Sequence, residues 1–283
     1  MSSSSKNQKR LQAGQFDLDI SRPLVMGIVN VTPDSFYDGG RFLKVKSAVD
    51  KAAQLVAEGA DIIDIGGESS KPGALPVQYD EEKRRIMPVL KEIRQLNVPI
   101  SVDTYKPKLM KEVLDQGASM INDIYSFTMP GALEALSESD AAICIMHMQK
   151  SPLSMQRKPK YNNVVDEVFS FLSVRAAAAE AVGISQNRIL IDPGFGFGKS
   201  FSDNVDLFVN LEKLVGSMYP VLVGLSRKSF LGEMVNRRTT ERDYASVAAA
   251  LMAVEKGVSV LRVHDVSATR DVINVHRGFS GKV

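Results

Sequence analysis

Short apolar runs alternate with longer stretches of helical periodicity from Leu24 to the end of the chain. The runs Leu24–Val31, Asp61–Gly66, Pro99–Asp103, Ser119–Ile124, Ala141–His147, Ile189–Asp192, Pro220–Leu225 and Val258–Val263 read as strands. Several are almost continuously apolar, as parallel strands covered on both faces must be. Helical stretches fall between them, among them Lys46–Glu58, Glu81–Leu96, Pro107–Gln116, Val164–Val182, Asp203–Val215 and Tyr244–Lys256. Gly59, Gly117, Gly183 and Gly257 follow four of these and mark helix stops. Eight strand–helix units predict an α/β fold, a single-domain (β/α)8 TIM barrel over residues 21–278. Residues 1–20 are expected as a polar N-terminal tail and 279–283 as a C-terminal tail. The competing architecture is a doubly wound open sheet.

A barrel collects its chemistry at the C-terminal ends of its strands. Those ends carry Asn30; Glu68, Ser69 and Ser70; Asp103; Asn122 and Asp123; His147; Asp192; Ser226, Arg227 and Lys228; and Arg262, His264 and Asp265. Polar residues follow strands in any barrel because loops are polar. Groups able to bind ligands or ions at all eight ends point instead to a site.

Composition narrows the class. The 283 residues carry a net charge of +2, which gives no general electrostatic case for nucleic acid or a membrane surface. The opening MSSSSKNQKR lacks the apolar core of a signal peptide, and no run approaches the length of a membrane span. The single cysteine, Cys144, lies in the apolar run AAICIM and is expected in the core. A cytoplasmic location is the expectation.

The segment Asp192–Lys199, DPGFGFGK, follows the apolar run Ile189-Leu190-Ile191. A strand ending in a carboxylate, then a glycine-rich loop with a lysine, suits a polar ligand at its mouth. It is not a P-loop: Pro193 stands where a glycine N–H is required. A polar heterocycle with N–H donors fits the carboxylate better than a triphosphate does.

Asp103, Asn122 and Asp192 form a first group. Adjacent N–H and NH2 groups of an amino-oxo heterocycle can donate side by side to a carboxylate, and Asn122 offers both a donor and an acceptor. The alternative is that the two aspartates pair with lysines or cap helices. Lys228, Arg262 and His264 form a second, cationic group after strands seven and eight, where barrels often place phosphate, and Ser70 adds a hydroxyl. The alternative for Arg262 and His264 is a salt bridge to Asp265 or to a loop. His147 reads as a satisfied buried histidine and His276 as a surface one. With three scattered histidines and one cysteine there is no zinc-like set. Any metal is expected to be Mg2+ on oxygen ligands, with Asn30 as the best protein ligand.

At this point the residues resemble the dihydropteroate synthases, of the pterin-binding barrels. The resemblance runs from Leu24 to Asn274 through GIVNVTPDSFYDGGRF, ADIIDIGGESSKPGA, SVDTYKP, INDIYS, MHMQ, LIDPGFGFGK, GLSRKSFLG and LRVHDV. It implies an enzyme of folate biosynthesis that joins para-aminobenzoate to 7,8-dihydropterin-6-ylmethyl diphosphate and releases pyrophosphate. It also implies that Asp103, Asn122, Asp192 and Lys228 bind the pterin, with Met146 against the ring. Asn30 is similar to the family's Mg2+ ligand. Ser70, Arg262 and His264, with the backbone at Val263, look like the diphosphate anchors. Phe36, Lys71, Pro72, Phe197 and Ser229 fall where the family holds para-aminobenzoate and where sulfonamides compete. A homodimer is implied as well. Loops one and two, Thr32–Arg41 and Glu68–Leu75, are expected to close over the site.

Four positions depart from the family pattern: Ser70 for threonine, Lys71 for arginine, Tyr37 for a small residue, and Lys150 for the glycine after MHMQ. Two rivals remain at this level. One is a barrel that presents methyltetrahydrofolate, which should lack the cationic group. The other is an idle pterin-binding paralogue, which should have lost Asn30, Arg262 or the first-loop motif.

Overall fold

The computed structural model describes residues 10–32 and 41–281. A hairpin of β1 (Arg10–Ala13) and β2 (Phe16–Asp19) precedes the barrel strands. These are β3 (Leu24–Asn30), β4 (Ile62–Gly66), β5 (Ile100–Asp103), β6 (Met120–Asp123), β7 (Ala142–Met146), β8 (Ile189–Asp192), β9 (Leu222–Val223) and β10 (Val260–Val263). All eight pair in parallel in the order β8-β7-β6-β5-β4-β3-β10-β9. A bridge between Ile191 and Val221 joins the two outer strands, where the Ile191 N–H donates to the Pro220 carbonyl at 3.0 Å. The ring is therefore closed, and an open sheet is excluded. The expected strand Pro220–Leu225 is only two residues long as β9.

The helices lie outside the ring: α1 (Arg41–Ala57), α2 (Tyr79–Ile93), α3 (Pro107–Asp115), α4 (Ala132–Ser137), α5 (Val164–Ala181), α6 (Phe201–Val209), α7 (Glu212–Val215), α8 (Ser229–Val235), α9 (Asp243–Glu255) and α10 (Val266–Phe279). The four glycine stops behave alike. Gly59, Gly117, Gly183 and Gly257 have φ of 98°, 98°, 93° and 87°. In each case the next N–H bonds back five residues, as Ala118 does to Val113 at 2.9 Å, which closes the Schellman motif. The expected helix Asp203–Val215 is instead the pair α6 and α7. A capping box of Ser200 and Asp203 starts the first of them. None of the described helices is long and apolar enough to cross a membrane.

Residues 10–19 correct the expectation of a polar tail. Leu11 and Ala13 are fully buried and pack with Leu24, Met26, Ile62, Met120, Leu190, Leu222 and Val260, the inward-facing residues near the strand starts. The Gly14 N–H bonds to the Asp140 carbonyl at 2.9 Å and pins the turn. The hairpin is thus a plug for the N-terminal end of the barrel. Leu11→Ala is expected to cost about 3 kcal/mol of stability, as buried leucine truncations do, read as a fall in the urea midpoint. A midpoint unchanged within error would mean that the plug is not part of the cooperative fold.

Successive residues of a strand face opposite sides, so each strand sends alternate residues into the barrel. Going up four of the strands, the interior changes from apolar to polar within one step. Ile62 is followed by Asp64, Met120 by Asn122, Leu190 by Asp192 and Val260 by Arg262. β5 is polar earlier, with Ser101 below Asp103. The lower half of the barrel is a core and the upper half is a site.

Candidate active site

A pocket at the C-terminal mouth is lined by Ser70, Asp103, Asn122, Ile124, Met146, Asp192, Gly194, Phe195, Phe197, Gly224, Lys228 and Arg262. Eight residues singled out from the sequence therefore meet at one place. Asn30 is exposed at the end of β3. Lys71, Pro72 and Ser229 are exposed and do not line the pocket, although they follow its lining residues Ser70 and Lys228 in the chain; Ser229 is the first residue of α8. The Val263 side chain turns outward into the helix-covered core, as alternation from Arg262 requires, so only its backbone can serve a ligand. Phe36, Tyr37 and most of loop one lie outside the described residues.

The acceptors sit deepest. Asn122 is 3% exposed, and its Oδ1 is buried with no hydrogen-bond partner among the described residues. A buried amide oxygen left alone costs free energy, which a ligand N–H would recover. Asp192 is similarly buried; its Oδ1 accepts the Gly194 N–H at 2.7 Å, and no described residue donates to Oδ2. Burial pushes the Asp192 carboxyl up, opposed by the Gly194 N–H and then by Lys228 and Arg262. Burial also pushes Asp103 up, against the pull of Arg262.

Arg262 reaches across the barrel. Its Nε donates to Asp64 Oδ2 at 2.7 Å and its Nη2 to Asp103 Oδ2 at 3.1 Å. The pairing with Asp265 weighed from the sequence does not occur; Asp265 caps α10 by accepting the Ala268 N–H at 3.0 Å. No described residue accepts from Nη1, which leaves that amino group to donate to an anion. Asp64 is the residue that a scan of strand ends misses. It is fully buried, faces inward, and keeps Oδ1 without a partner. The signal was present, since one charge in the run IIDIG cannot be buried without a cation.

Of the other two members expected in the cationic group, Lys228 is a cation and His264 is not. The Lys228 ammonium lies 4.1 Å from the centroid of the Phe197 ring. Burial lowers Lys228 to about 8, against the pull of Asp192. His264 Nδ1 lies 2.9 Å from Ser226 Oγ. Burial, then the neighbouring Arg262, holds the His264 imidazole down at about 3, so it is neutral at physiological pH and can offer a hydrogen bond but not a positive charge. Phe197 packs with Ile124, Met146 and Met155 as well as lining the pocket.

His147 is satisfied in the core, with Nδ1 3.0 Å from Lys199 Nζ and its ring edge-on to Phe171 at 5.0 Å. Lys199, the lysine of DPGFGFGK, does not stand at the mouth. Its ammonium is buried among backbone carbonyls. Loop two is tied down at both ends. The Val77 N–H and the Lys106 ammonium donate to Glu68 Oε2 at 3.0 and 2.6 Å, and the Gly73 N–H donates to the Pro152 carbonyl at 3.0 Å. Among the described residues no cluster of three histidine, cysteine or carboxylate side chains could hold a metal.

The arrangement is a floor of acceptors for a heterocycle, beside cations for an anion. Comparison with known proteins agrees. The sequence matches the pterin binding enzyme family over residues 26–264. It is 45% identical to dihydropteroate synthase of Escherichia coli over 94% of this chain and 95% of that protein. A structure of Xanthomonas albilineans dihydropteroate synthase with 4-aminobenzoic acid is 47% identical, with a TM-score of 0.91 over 96% of this chain and 98% of that one. The Yersinia pestis enzyme in a sulfonamide drug complex is 41% identical, with a TM-score of 0.91 over 96% and 99%. On motifs, closed barrel and site together, the chain belongs to the dihydropteroate synthase family of pterin-binding enzymes.

Proposed function

We propose that this site joins para-aminobenzoate to 7,8-dihydropterin-6-ylmethyl diphosphate, forming dihydropteroate for folate synthesis and releasing pyrophosphate. The observation that carries this is the unpartnered Asn122 Oδ1 and the open Asp192 Oδ2 on one pocket floor, beside Lys228 and Arg262. A reduced pterin presents N–H and NH2 donors along one edge and acceptors along another. Asp192 and Asp103 take the donors, Asn122 takes an N–H, and Lys228 donates to a ring acceptor, with Met146 against the ring face. The rival barrel that presents methyltetrahydrofolate has no use for the anion-binding group of Arg262 and His264.

The difficult step is cleavage of the C–O bond between the pterin methylene and the diphosphate. Its electron pair leaves with the bridging oxygen, and the methylene acquires positive charge shared with the ring. Asp103 and Asp192 favour that charge once ring N–H donors stabilise their ionised forms. Arg262, through Nη1, receives the leaving oxygens together with His264 and Ser70. The aniline nitrogen, already neutral near pH 7, attacks the methylene and then loses a proton to water, so no general base is needed first. Lys71, Pro72, Phe197 and Ser229, with Phe36, hold para-aminobenzoate at the rim, where sulfonamides compete.

Asn30 fits a Mg2+ role, because an exposed amide oxygen at the mouth suits an ion that keeps most of its waters. Bound there with the diphosphate, the ion would neutralise leaving-group charge. The enzyme is proposed to act in the cytoplasm as a homodimer.

The function is tested by following dihydropteroate formation by the purified chain with Mg2+ and with EDTA. The expected results are turnover that EDTA abolishes, and a sulfonamide that raises the apparent KM for para-aminobenzoate without changing kcat. EDTA-resistant turnover would remove Mg2+ from the account, and non-competitive sulfonamide inhibition would remove the shared subsite.

A second test uses pH. Lys228 deprotonates near 8, so pterin affinity of the free enzyme is expected to fall as pH rises through about 8. In Lys228→Met that limb should be absent. A limb retained in the variant would assign the titration to another group.

A further inference from the structure

The glycine-rich segment 193–199 is buried throughout, yet belongs to no strand or helix. Carbonyls in such a segment need donors from elsewhere, since buried backbone groups left unpaired are costly. Side chains supply them. Lys199 Nζ donates to the carbonyls of Gly194 at 2.9 Å and Phe197 at 3.1 Å, and reaches the His147 carbonyl at 3.4 Å and His147 Nδ1 at 3.0 Å. Gln156 Nε2 donates to the Gly196 carbonyl and Tyr161 Oη to the Gly198 carbonyl, both at 2.7 Å.

The ammonium sits in the seam between the loops that follow β7 and β8, and the seam is tight. A Cβ on Gly194 would lie 2.0 Å from the His147 carbonyl oxygen, and one on Gly198 would lie 2.7 Å from that of Gln149. Every contact of Lys199 Nζ is to a residue on or next to the pocket wall: His147 follows Met146, the Gly194 N–H donates to Asp192, and the Phe197 ring lies under the Lys228 ammonium. Burial lowers Lys199 to about 7, opposed by Asp192, and in its protonated form it adds to the pull of Lys228 and Arg262 that holds Asp192 down.

We propose that Lys199 is a positioning residue of the pterin site, clamping the two loops so that Asp192 and the Phe197–Lys228 pair face the ring in the productive geometry. It touches no substrate itself. The inference rests on the function proposed above, and it places the motif's lysine beneath the ring instead of against a phosphate.

The test is calorimetric binding of two probes, 6-hydroxymethyl-7,8-dihydropterin and inorganic pyrophosphate with Mg2+, to the full chain and to Lys199→Met, well below the melting temperature. The variant is expected to bind the pterin at least about tenfold more weakly, because a displaced Asp192 or Phe197–Lys228 pair weakens about one hydrogen bond to the ring, and pyrophosphate within about threefold of the parent. Its KM for the pterin diphosphate should rise with little change in kcat. A lysine that only stabilises the fold would lower the melting temperature and leave both affinities alone. Equal pterin affinity, or equal losses for both probes, would overturn the proposal. If Lys199→Met does not fold, Lys199→Gln, which keeps two N–H donors, is read in the same way, with an intermediate pterin loss expected. Failure of the parent itself to bind the pterin would instead refute the functional reading.

Discussion

Asp192→Asn is expected to lower kcat/KM for the dihydropterin diphosphate by roughly 10^3 while leaving the fold at least as stable. The carboxylate is 5% exposed and already accepts one N–H, from Gly194 at 2.7 Å. Asparagine has one oxygen for two donors. If that oxygen keeps Gly194, the NH2 group meets the ring donors; if it turns to the ring, the NH2 group meets the Gly194 N–H. Losing a charge-assisted hydrogen bond at about 1.5–3 kcal/mol, with a buried donor left facing a donor at about 1–3 kcal/mol, gives that range. The stability sign follows from burial, which raises this carboxyl. A raised carboxyl holds its proton more tightly in the folded state, so its ionisation weakens the fold as pH rises past about 4. The neutral amide removes that weakening at pH 7. Steady-state kinetics and thermal melts check both halves. Near-normal kcat/KM would take Asp192 out of the site, and a clear fall in melting temperature would mean that the carboxylate is structural.

The second large effect is expected from Arg262→Ala, which should damage activity and stability together. The guanidinium is shared between Asp64 Oδ2 and Asp103 Oδ2 at 2.7 and 3.1 Å. The Asp64 side chain has no exposure and that of Asp103 only 13%. Removing the cation strands two buried carboxylates, for which about 3–5 kcal/mol is a reasonable cost. Loss of the leaving-group donor should lower kcat by about 10^2–10^3. Burial already raises Asp103 and Arg262 opposes that, so without the cation Asp103 rises further, and the stability loss should shrink as pH falls and grow as pH rises. Denaturant unfolding of parent and variant at pH 5 and pH 8 reads this directly. A deficit of the same size at both pH values would mean that lost packing, not charge, accounts for it. Arg262→Lys should recover part of the stability but little activity, because a point charge cannot bridge both oxygens.

Much of this architecture was legible because the strands are buried on both faces and the helices end in glycines that need positive φ. Asp103, Asn122 and Asp192 were legible for a related reason: each ends an apolar run, although Asp123, which ends one too, turns away to accept the Tyr125 and Phe127 N–H groups of its own loop. The hairpin was not, because Arg10, Asp17 and Asp19 give residues 10–19 a polar composition that hides the inward alternation of Leu11 and Ala13. Asp64 was overlooked because it lies within a strand, below the level at which barrels display ligands. The burial of Lys199 was not legible, because it depends on carbonyls that only the closed loops bring together. Lys150, departing from the family's glycine, takes φ of 66°, which explains why glycine suits that position.

The central claim, that the carboxylate–amide floor activates the methylene while the cations receive the diphosphate, is tested most directly by pyrophosphate release. The purified protein is given dihydropterin diphosphate and Mg2+, with and without para-aminobenzoate, alongside Asp192→Asn and Arg262→Ala. The account predicts one pyrophosphate released per dihydropteroate formed, with release lost in both variants. Tight pterin binding with no turnover in the parent would contradict it.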